Sequence, residues 1–535
     1  MNPTEDGVGR QHPSRQPPIP AGEESQVRAP DGPFGGIEDG IEESGEELVI
    51  SAELSATEVR RRAVHGTALL GGREIALRSF GLVGNVVLAR LLTPKDFGII
   101  AFGLTFIGLA SLFGDAGIGA ALIRGKEEVR RADLESALGF CLGVCVVLWA
   151  LITAAALTLG GSSAAVVCVM ATSLLVVAFR GPGMILLERN LAYGSVALIS
   201  VVESLAYFTC AIVMATVGAG VWSLATAVVV RGVAGTVATI VVVPGGLVRP
   251  RFDWSRVRRF MGFGAKFQAV GGVTLLRDHS LNLATTWVGG VSTLGLWSLC
   301  LSLLQVPFML FNSLWRVSYP TMARLMAAGE DPGPSLQRGL NLVAVTTGLL
   351  VAGIVGSSPA FVPGVLGEQW RPALGVLPWS GAALVIGGPV AVVGVGYLFA
   401  KGEASLVLKS VLLEAAAWVA ISTALIPVVG VAALGIGHLV GALIHVTILT
   451  KGLRRWTSIR LFGSLAPGLI TTVLAVCAGW WVASALRPGA LAAILAGLSV
   501  AGTYLGTLAL FQRPRLSDGI TLVRAAWRGG RGVAA

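Results

Sequence analysis

Residues 194–243 read GSVALISVVESLAYFTCAIVMATVGAGVWSLATAVVVRGVAGTVATIVVV, fifty positions with two charged side chains, Glu203 and Arg231. Gly218-Ala219 splits this stretch into apolar runs 194–217 and 220–243. Each run is long enough to cross a hydrocarbon layer of roughly 30 Å as a helix. The short glycine turn between them makes an antiparallel helical hairpin, with Glu203 and Arg231 near mid-membrane, where an ionisable group needs a partner or water.

The same pattern repeats along the chain. Apolar stretches fall at 66–91, 97–121, 135–159, 164–187, 194–217, 220–243, 263–289, 292–320, 339–366, 373–399, 405–426, 430–451, 462–485 and 488–511, fourteen in all. The 535 residues are 54% hydrophobic and 13% charged, with a mean hydropathy of +0.76. A soluble domain carries roughly a quarter charged residues, so the expected fold is an all-α polytopic membrane protein.

Charge fixes the orientation of this reading. With alternating sides, one set of connections holds 26 Lys and Arg residues, from Arg60 to Arg531, and the other holds Lys95, Arg371 and Arg487. The basic side is expected to be cytoplasmic, with both termini on it. The net charge of +10 is spread between hydrophobic spans and forms no patch for nucleic acid. Connections on the charge-poor side, such as Gly160-Gly161-Ser162-Ser163 and Pro427-Val428-Val429, are too short for a catalytic domain. That weighs against a membrane-bound polymerase or glycosyltransferase.

Residues 1–60 are rich in Pro, Gly and acids and read as a disordered cytoplasmic tail without a signal-peptide pattern, so the first membrane helix is expected to direct insertion. The six cysteines, Cys141, Cys145, Cys168, Cys210, Cys300 and Cys477, fall inside apolar segments and indicate neither disulfides nor a zinc site. Cys141 and Cys145 lie one helical turn apart, where packing is the simpler account than metal binding.

An internal repeat divides the rest. Asn85 precedes Gly98 by 13 residues and Asn282 precedes Gly295 by 13, an offset of 197 that also pairs Asp115 with Asn312. Glu203 lies 15 residues before Gly218, and Glu414 lies 16 before Gly430. These correspondences predict two six-helix lobes as parallel repeats. The expected organisation is an N-lobe at 61–250, a C-lobe at 251–455, two further helices at 456–515 and a cytoplasmic tail at 516–535.

The first helix of each lobe is the most polar. Glu74, Arg78, Gly81 and Asn85 share one face, with Arg73 beside it; the seventh helix carries Lys266, Gln268, Arg277, Asp278, His279 and Asn282. Arg231 and Arg316 add positive charge. Structural readings stand beside functional ones: Glu74 and Arg78 can form an i, i+4 ion pair, Arg277 and Asp278 can neutralise partners on neighbouring helices, and Glu203 can pair with Arg231. Lys266 and Arg316 can snorkel from helix ends. His438 and His445 share a face of the twelfth helix, where hydrogen-bonded packing is favoured over proton relay.

The stretch Leu88-Ala89-Arg90-Leu91-Leu92-Thr93-Pro94-Lys95-Asp96-Phe97-Gly98, continued by Phe113-Gly114-Asp115-Ala116-Gly117-Ile118-Gly119-Ala120-Ala121-Leu122-Ile123, resembles the start of the Wzx-type polysaccharide flippases. These belong to the multidrug/oligosaccharidyl-lipid/polysaccharide exporter superfamily. Leu186-Leu187-Glu188-Arg189-Asn190-Leu191-Ala192-Tyr193 and Gly218-Ala219-Gly220-Val221-Trp222-Ser223-Leu224 are similar to the same family. The likeness covers roughly residues 66 to 450 and is strongest in the first half. It implies a non-enzymatic, alternating-access transporter in the bacterial cytoplasmic membrane. The implied cargo is a polyprenyl-pyrophosphate-linked oligosaccharide, moved from the inner to the outer leaflet for polysaccharide polymerase machinery. Under the resemblance, Arg73, Arg78, Lys266 and Arg277, with Asn85 and Asn282, line a cationic substrate cavity. Glu203, Asp278 and Glu414 are candidates for proton or sodium coupling, with no bound cofactor or metal, and Pro94, Asp96 and Gly98 shape a turn. The alternatives are a lipid-linked peptidoglycan precursor flippase, a multidrug exporter of the same superfamily, and a scaffold acting through the N-terminal tail.

Overall fold

A computed structural model describes residues 80–511 apart from 116, 125–128, 160 and 458–460. The terminal segments 1–60 and 516–535 lie outside the described residues. Each long apolar run among the described residues forms a helix because, in hydrocarbon, only intra-segment hydrogen bonds satisfy the backbone. In chain order the helices are α1 (Phe80–Leu91), α2 (Pro94–Asp115), α3 (Ile118–Arg124), α4 (Arg131–Leu159), α5 (Ser162–Ala178), α6 (Gly181–Arg189), α7 (Tyr193–Thr216) and α8 (Val221–Val242). They continue as α9 (Trp254–Ala327), α10 (Gly333–Phe361), α11 (Leu377–Pro389), α12 (Val395–Ala400), α13 (Ala404–Val429), α14 (Ala432–Leu453), α15 (Leu461–Ala485) and α16 (Ala490–Phe511). Among the described residues, 10 helices are long and apolar enough to cross a membrane, or 11 if the bent pair α5–α6 counts as one. The protein is therefore an all-helical, multi-pass membrane protein.

The elements depart from the expected spans where local chemistry intervenes. The stretch expected at 97–121 breaks at Gly117, whose positive φ of 75° ends α2 and starts α3. The stretch at 164–187 bends by 48° between α5 and α6, just before Pro182. The stretches expected at 263–289 and 292–320 both lie in α9, which is two helices meeting at a break at Gly290, between the expected spans, where φ is 78° and ψ is 170°. A side chain at Gly290 would be strained whatever the space around it. α9 also begins earlier than expected because Asp253 caps it, accepting hydrogen bonds from the Ser255 and Arg256 amides. The Ser255 hydroxyl, donating to the same carboxylate, holds Asp253 below the usual carboxylate range. Just after α10 and α11, the backbone takes wider turns beside proline. Pro363 lies within a π-helical segment at Val362–Leu366, and Pro389 immediately precedes another at Val390–Gly394.

The turn between α1 and α2 is a reciprocal cap. The Thr93 amide donates to Asp96 Oδ2 at 2.9 Å, and the Asp96 amide donates to Thr93 Oγ1 at 3.3 Å. Pro94, at the first position of α2, needs no partner for an amide hydrogen. Asp96 therefore shapes the turn, as the resemblance implied.

Small residues let the helices approach closely, as expected in lipid. A Cβ at Gly84 would overlap the Phe208 ring, and one at Gly437 would overlap the Ser422 hydroxyl. The described cysteines are unbridged, and no group of three or more metal-ligating side chains occurs among the described residues. The largest core cluster joins α1, α9, α10, α11, α13 and α14 around Trp297, Trp370 and Trp418, all nearly or fully buried. It lies toward the charge-poor end and ties the first helix to the second half of the chain.

Candidate functional site

The charge-poor end is sealed by main chain. A Cβ at Gly98 would overlap the Val291 carbonyl, and a Cβ at Gly295 would overlap the Pro94 carbonyl. Thus the start of α2 and the second part of α9 meet backbone to backbone. Trp370 Nε1 adds a hydrogen bond of 2.8 Å to the Ala89 carbonyl, and the Phe97 ring packs edge-on against Trp370 with centroids 5.1 Å apart. Farther along α2, Thr105 Oγ1 accepts from Asn282 Nδ2 at 3.1 Å, and Gly108 leaves room for the His279 ring.

Beneath this seal lies a cavity of about 1120 Å³ bounded by α9, α11, α12, α13 and α14. Its lining runs from Phe399, Ala404 and Leu408 near the basic end to Trp297 and His438 deeper in the bundle. Most of the wall is apolar or aromatic, with a few polar side chains aimed inward, the usual make-up of a ligand site. Arg277 Nε donates to Asp278 Oδ1 at 2.8 Å, while its guanidinium carbon stands 5.3 Å from the Trp418 ring centre. His438 stacks on Trp418, with centroids 4.0 Å apart and planes within 4°. Trp418 Nε1 donates to the Leu434 carbonyl at 3.1 Å, which fixes the indole. Its neighbour across α13 and α14 is an ion-pair geometry, His445 Nδ1 to Glu414 Oε2 at 3.2 Å. The arrangement thus offers a cation over an aromatic plane, a second carboxylate at Asp278, and a carboxylate–imidazole couple.

The expected site residues separate into three groups. Arg277, Asp278, Asn282 and Glu414 all line the cavity. Asn85 is half-buried on α1 and is not among the lining residues, so it and Asn282 do not share one wall. Glu203 is likewise elsewhere, buried between α7 and α8, hydrogen-bonded by Arg180 and 3.8 Å from Arg231 Nε. Arg73 and Arg78 lie outside the described residues, as does the Lys266 side chain.

The sequence reading gave His438 and His445 to packing, yet both line the cavity. A signal for this was present. In a hairpin, residues equidistant from the turn face each other, and Glu414 and His445 are mirror positions about 429–430, as Ser422 and Gly437 also are.

At the basic end, Asp133 on α4 receives Arg256 Nη1 at 2.9 Å and Arg259 Nη2 at 3.3 Å from the start of α9. The Asp133 hydrogen bond and charge hold the Arg256 guanidinium above its usual range. This pins the first turns of α9 to the first half of the chain, while its later part walls the cavity.

An apolar helical bundle, sealed at one end and opening a polar-studded cavity toward the other, defines a membrane transporter. Residues 87–374 match the family model described as polysaccharide biosynthesis protein, and the chain belongs to that family. It is 25% identical over 346 residues to the lipopolysaccharide biosynthesis protein WzxC of Escherichia coli (strain K12), a match covering 62% of this chain and 69% of WzxC. It is also 25% identical over 318 residues to the succinoglycan biosynthesis transport protein ExoT of Rhizobium meliloti (strain 1021), covering 56% of this chain and 63% of ExoT. Among solved structures, the lipid II flippase MurJ in an inward closed conformation superposes with a TM-score of 0.65 at 11% identity, covering 84% of this chain and 100% of MurJ. An inward-facing multidrug resistance transporter of the MATE family matches with a TM-score of 0.53 at 14% identity, covering 71% of this chain and 96% of its own. At such identities these two matches define the fold alone. The resemblance read from Leu88 to Ile123 is borne out by the family model and by the likeness to WzxC and ExoT: the chain is a Wzx-type polysaccharide biosynthesis protein, a transporter and not an enzyme.

Proposed function

We propose that this protein moves a polyprenyl-pyrophosphate-linked oligosaccharide from the inner to the outer leaflet of the bacterial cytoplasmic membrane, for assembly of a surface polysaccharide. The observation that carries this reading is the cavity of about 1120 Å³ that reaches the basic end while the Gly98–Gly295 seal closes the other. With the basic end cytoplasmic, this is the state that loads cargo from inside. An aqueous cavity of this size shields sugar hydroxyls from hydrocarbon, and Arg277 supplies a planar fork for phosphate oxygens.

Fourteen crossings arranged as two six-helix lobes, 61–250 and 251–455, with an added pair at 456–515, support alternating access in this reading. The reciprocal contacts at the seal favour the repeat: Pro94 and Val291 differ by 197, as do Gly98 and Gly295. A second parallel lies in the hairpins, where Glu203 packs on Gly235 and Glu414 on Gly441. Coupling to a proton or sodium ion is assigned to Asp278 and Glu414, with His445 as the partner of Glu414. Arg73, Arg78 and Lys266 remain proposed cavity cations, and Glu203 is better read as the counter-ion of Arg180 and Arg231. Delivery to a polymerase follows from the outward direction of transport.

A deletion strain tests the reading. It should accumulate one lipid-linked oligosaccharide on the inner leaflet, lose surface polysaccharide and remain viable. Absence of any accumulated lipid-linked sugar would refute flipping, and lethal wall failure would assign the cargo to the peptidoglycan precursor instead.

A further inference from the structure

The bend between α5 and α6 places Arg180 where it meets Glu203 of α7 and, beyond it, Arg231 of α8. Glu203 is seated against Gly235, where a Cβ would overlap its carboxylate, and its side chain is 8% exposed. The carboxylate is therefore fixed in place. Arg231 is held less tightly. Its Nε stands 3.8 Å from Glu203 Oε2, an electrostatic contact longer than a hydrogen bond, and 57% of its side chain is exposed.

Among the described residues, two guanidiniums on one carboxylate leave an excess positive charge. Glu203 is the eleventh residue of the 24-residue α7, and Arg231 the eleventh of the 22-residue α8, so this excess sits at mid-helix in both. Deep in a bilayer an uncompensated cation costs several kcal/mol unless it meets water or an anion. None of these three residues lines the cavity between α9 and α14.

We infer that Arg180 and Arg231, organised on Glu203, form a second anion-binding site in the first half of the chain, one that takes phosphate or pyrophosphate oxygens. Arg231 is the ligand-contacting arm. Arg180 is a positioning residue, and Glu203 is the internal counter-ion that an external anion competes with for both guanidiniums. The inference deepens the proposed function and rests on it for the identity of the natural pyrophosphate; the anion site itself does not require transport. The same chemistry is offered by an anionic phospholipid headgroup.

The test is calorimetric titration of inorganic pyrophosphate into the full-length protein in phosphatidylcholine nanodiscs. Losing one charge-assisted contact predicts that Arg231→Gln weakens one class of sites by about tenfold, whereas Arg231→Lys stays within about threefold. Glu203→Gln releases both guanidiniums and should tighten that class by about threefold or more, provided gel filtration shows an unaltered particle. A merely structural triad predicts the opposite, with Glu203→Gln neutral or weakening. Wild-type affinity in Arg231→Gln, or no gain in a well-folded Glu203→Gln, overturns the proposal. Including phosphatidylglycerol in the discs distinguishes the sources. Competition with pyrophosphate identifies a bulk lipid headgroup at the site, and its absence identifies a soluble or cargo-borne pyrophosphate. Because no transport is read, failure of the flippase assignment would show in the deletion strain and leave this titration unchanged.

Discussion

Gly98 packs against the carbonyl of Val291, and Gly295 packs against the carbonyl of Pro94, so the two halves of the chain meet through a reciprocal pair of glycine–carbonyl contacts. Each partner is the other's equivalent at the same offset of 197 residues. Such self-complementary contact is what a two-fold relation produces at its axis.

Any side chain at either glycine must push the two backbones apart. Gly98→Val and Gly295→Val should therefore prevent closure of the charge-poor end and lower transport by about tenfold or more, with a stability cost of about 1–3 kcal/mol from overpacking. Flux in membrane vesicles, paired with thiol labelling of a cysteine placed at Val291, reads both effects. Wild-type flux with unchanged labelling would show that the seal does not gate the cavity.

Arg277 is tied to Asp278 and poised over Trp418, so it can give phosphate oxygens its remaining donors without moving far. Arg277→Gln should cut restoration of surface polysaccharide in a deletion strain by about tenfold while leaving the amount of folded protein unchanged. Arg277→Lys, lacking the fork, should restore only part. Full complementation by Arg277→Gln would remove this residue from the cargo site.

If Glu414 and His445 carry the coupling ion as a proton, Glu414→Gln and His445→Gln should each flatten the dependence of transport on pH. Initial rates in vesicles at fixed cargo concentration measure this. A variant whose rate still follows the wild-type profile would exclude its residue from coupling.

Asp133 gathers Arg256 and Arg259 at the basic end. Both arginines are partly open to solvent, so Asp133→Asn should cost only about 1 kcal/mol by thermal unfolding. Transport should fall more than stability does, because the start of α9 loses its hold on α4. Proportionate losses in both would assign the contact to stability alone.

Much of the fold was legible because hydrocarbon leaves the backbone few choices. Apolar length gave α4, α7, α8, α13 and α14 nearly residue by residue, and glycine between two runs marked the turn at Gly218. The breaks were harder. Gly117, inside the run expected at 97–121, looks like the many glycines that merely pack, and only its positive φ sets it apart, whereas Gly290 fell between two expected spans. At the site, helical periodicity placed Arg277, Asp278 and Asn282 together because all three lie on one helix. It could not bring His445 to Glu414 or Arg180 to Glu203, since those meetings depend on hairpin register and on the angle at a bend. The offset of 197 was visible as spacing, but that its two glycines touch is a property of packing.

The seal at Gly98 and Gly295 is made of main chain, so it is indifferent to the identity of the side chains that line the cavity. Descendants of such a protein can exchange wall residues, and with them the sugars they accept, while inheriting an unaltered latch. Diversity of cargo and constancy of the gate are thereby kept in separate parts of the sequence.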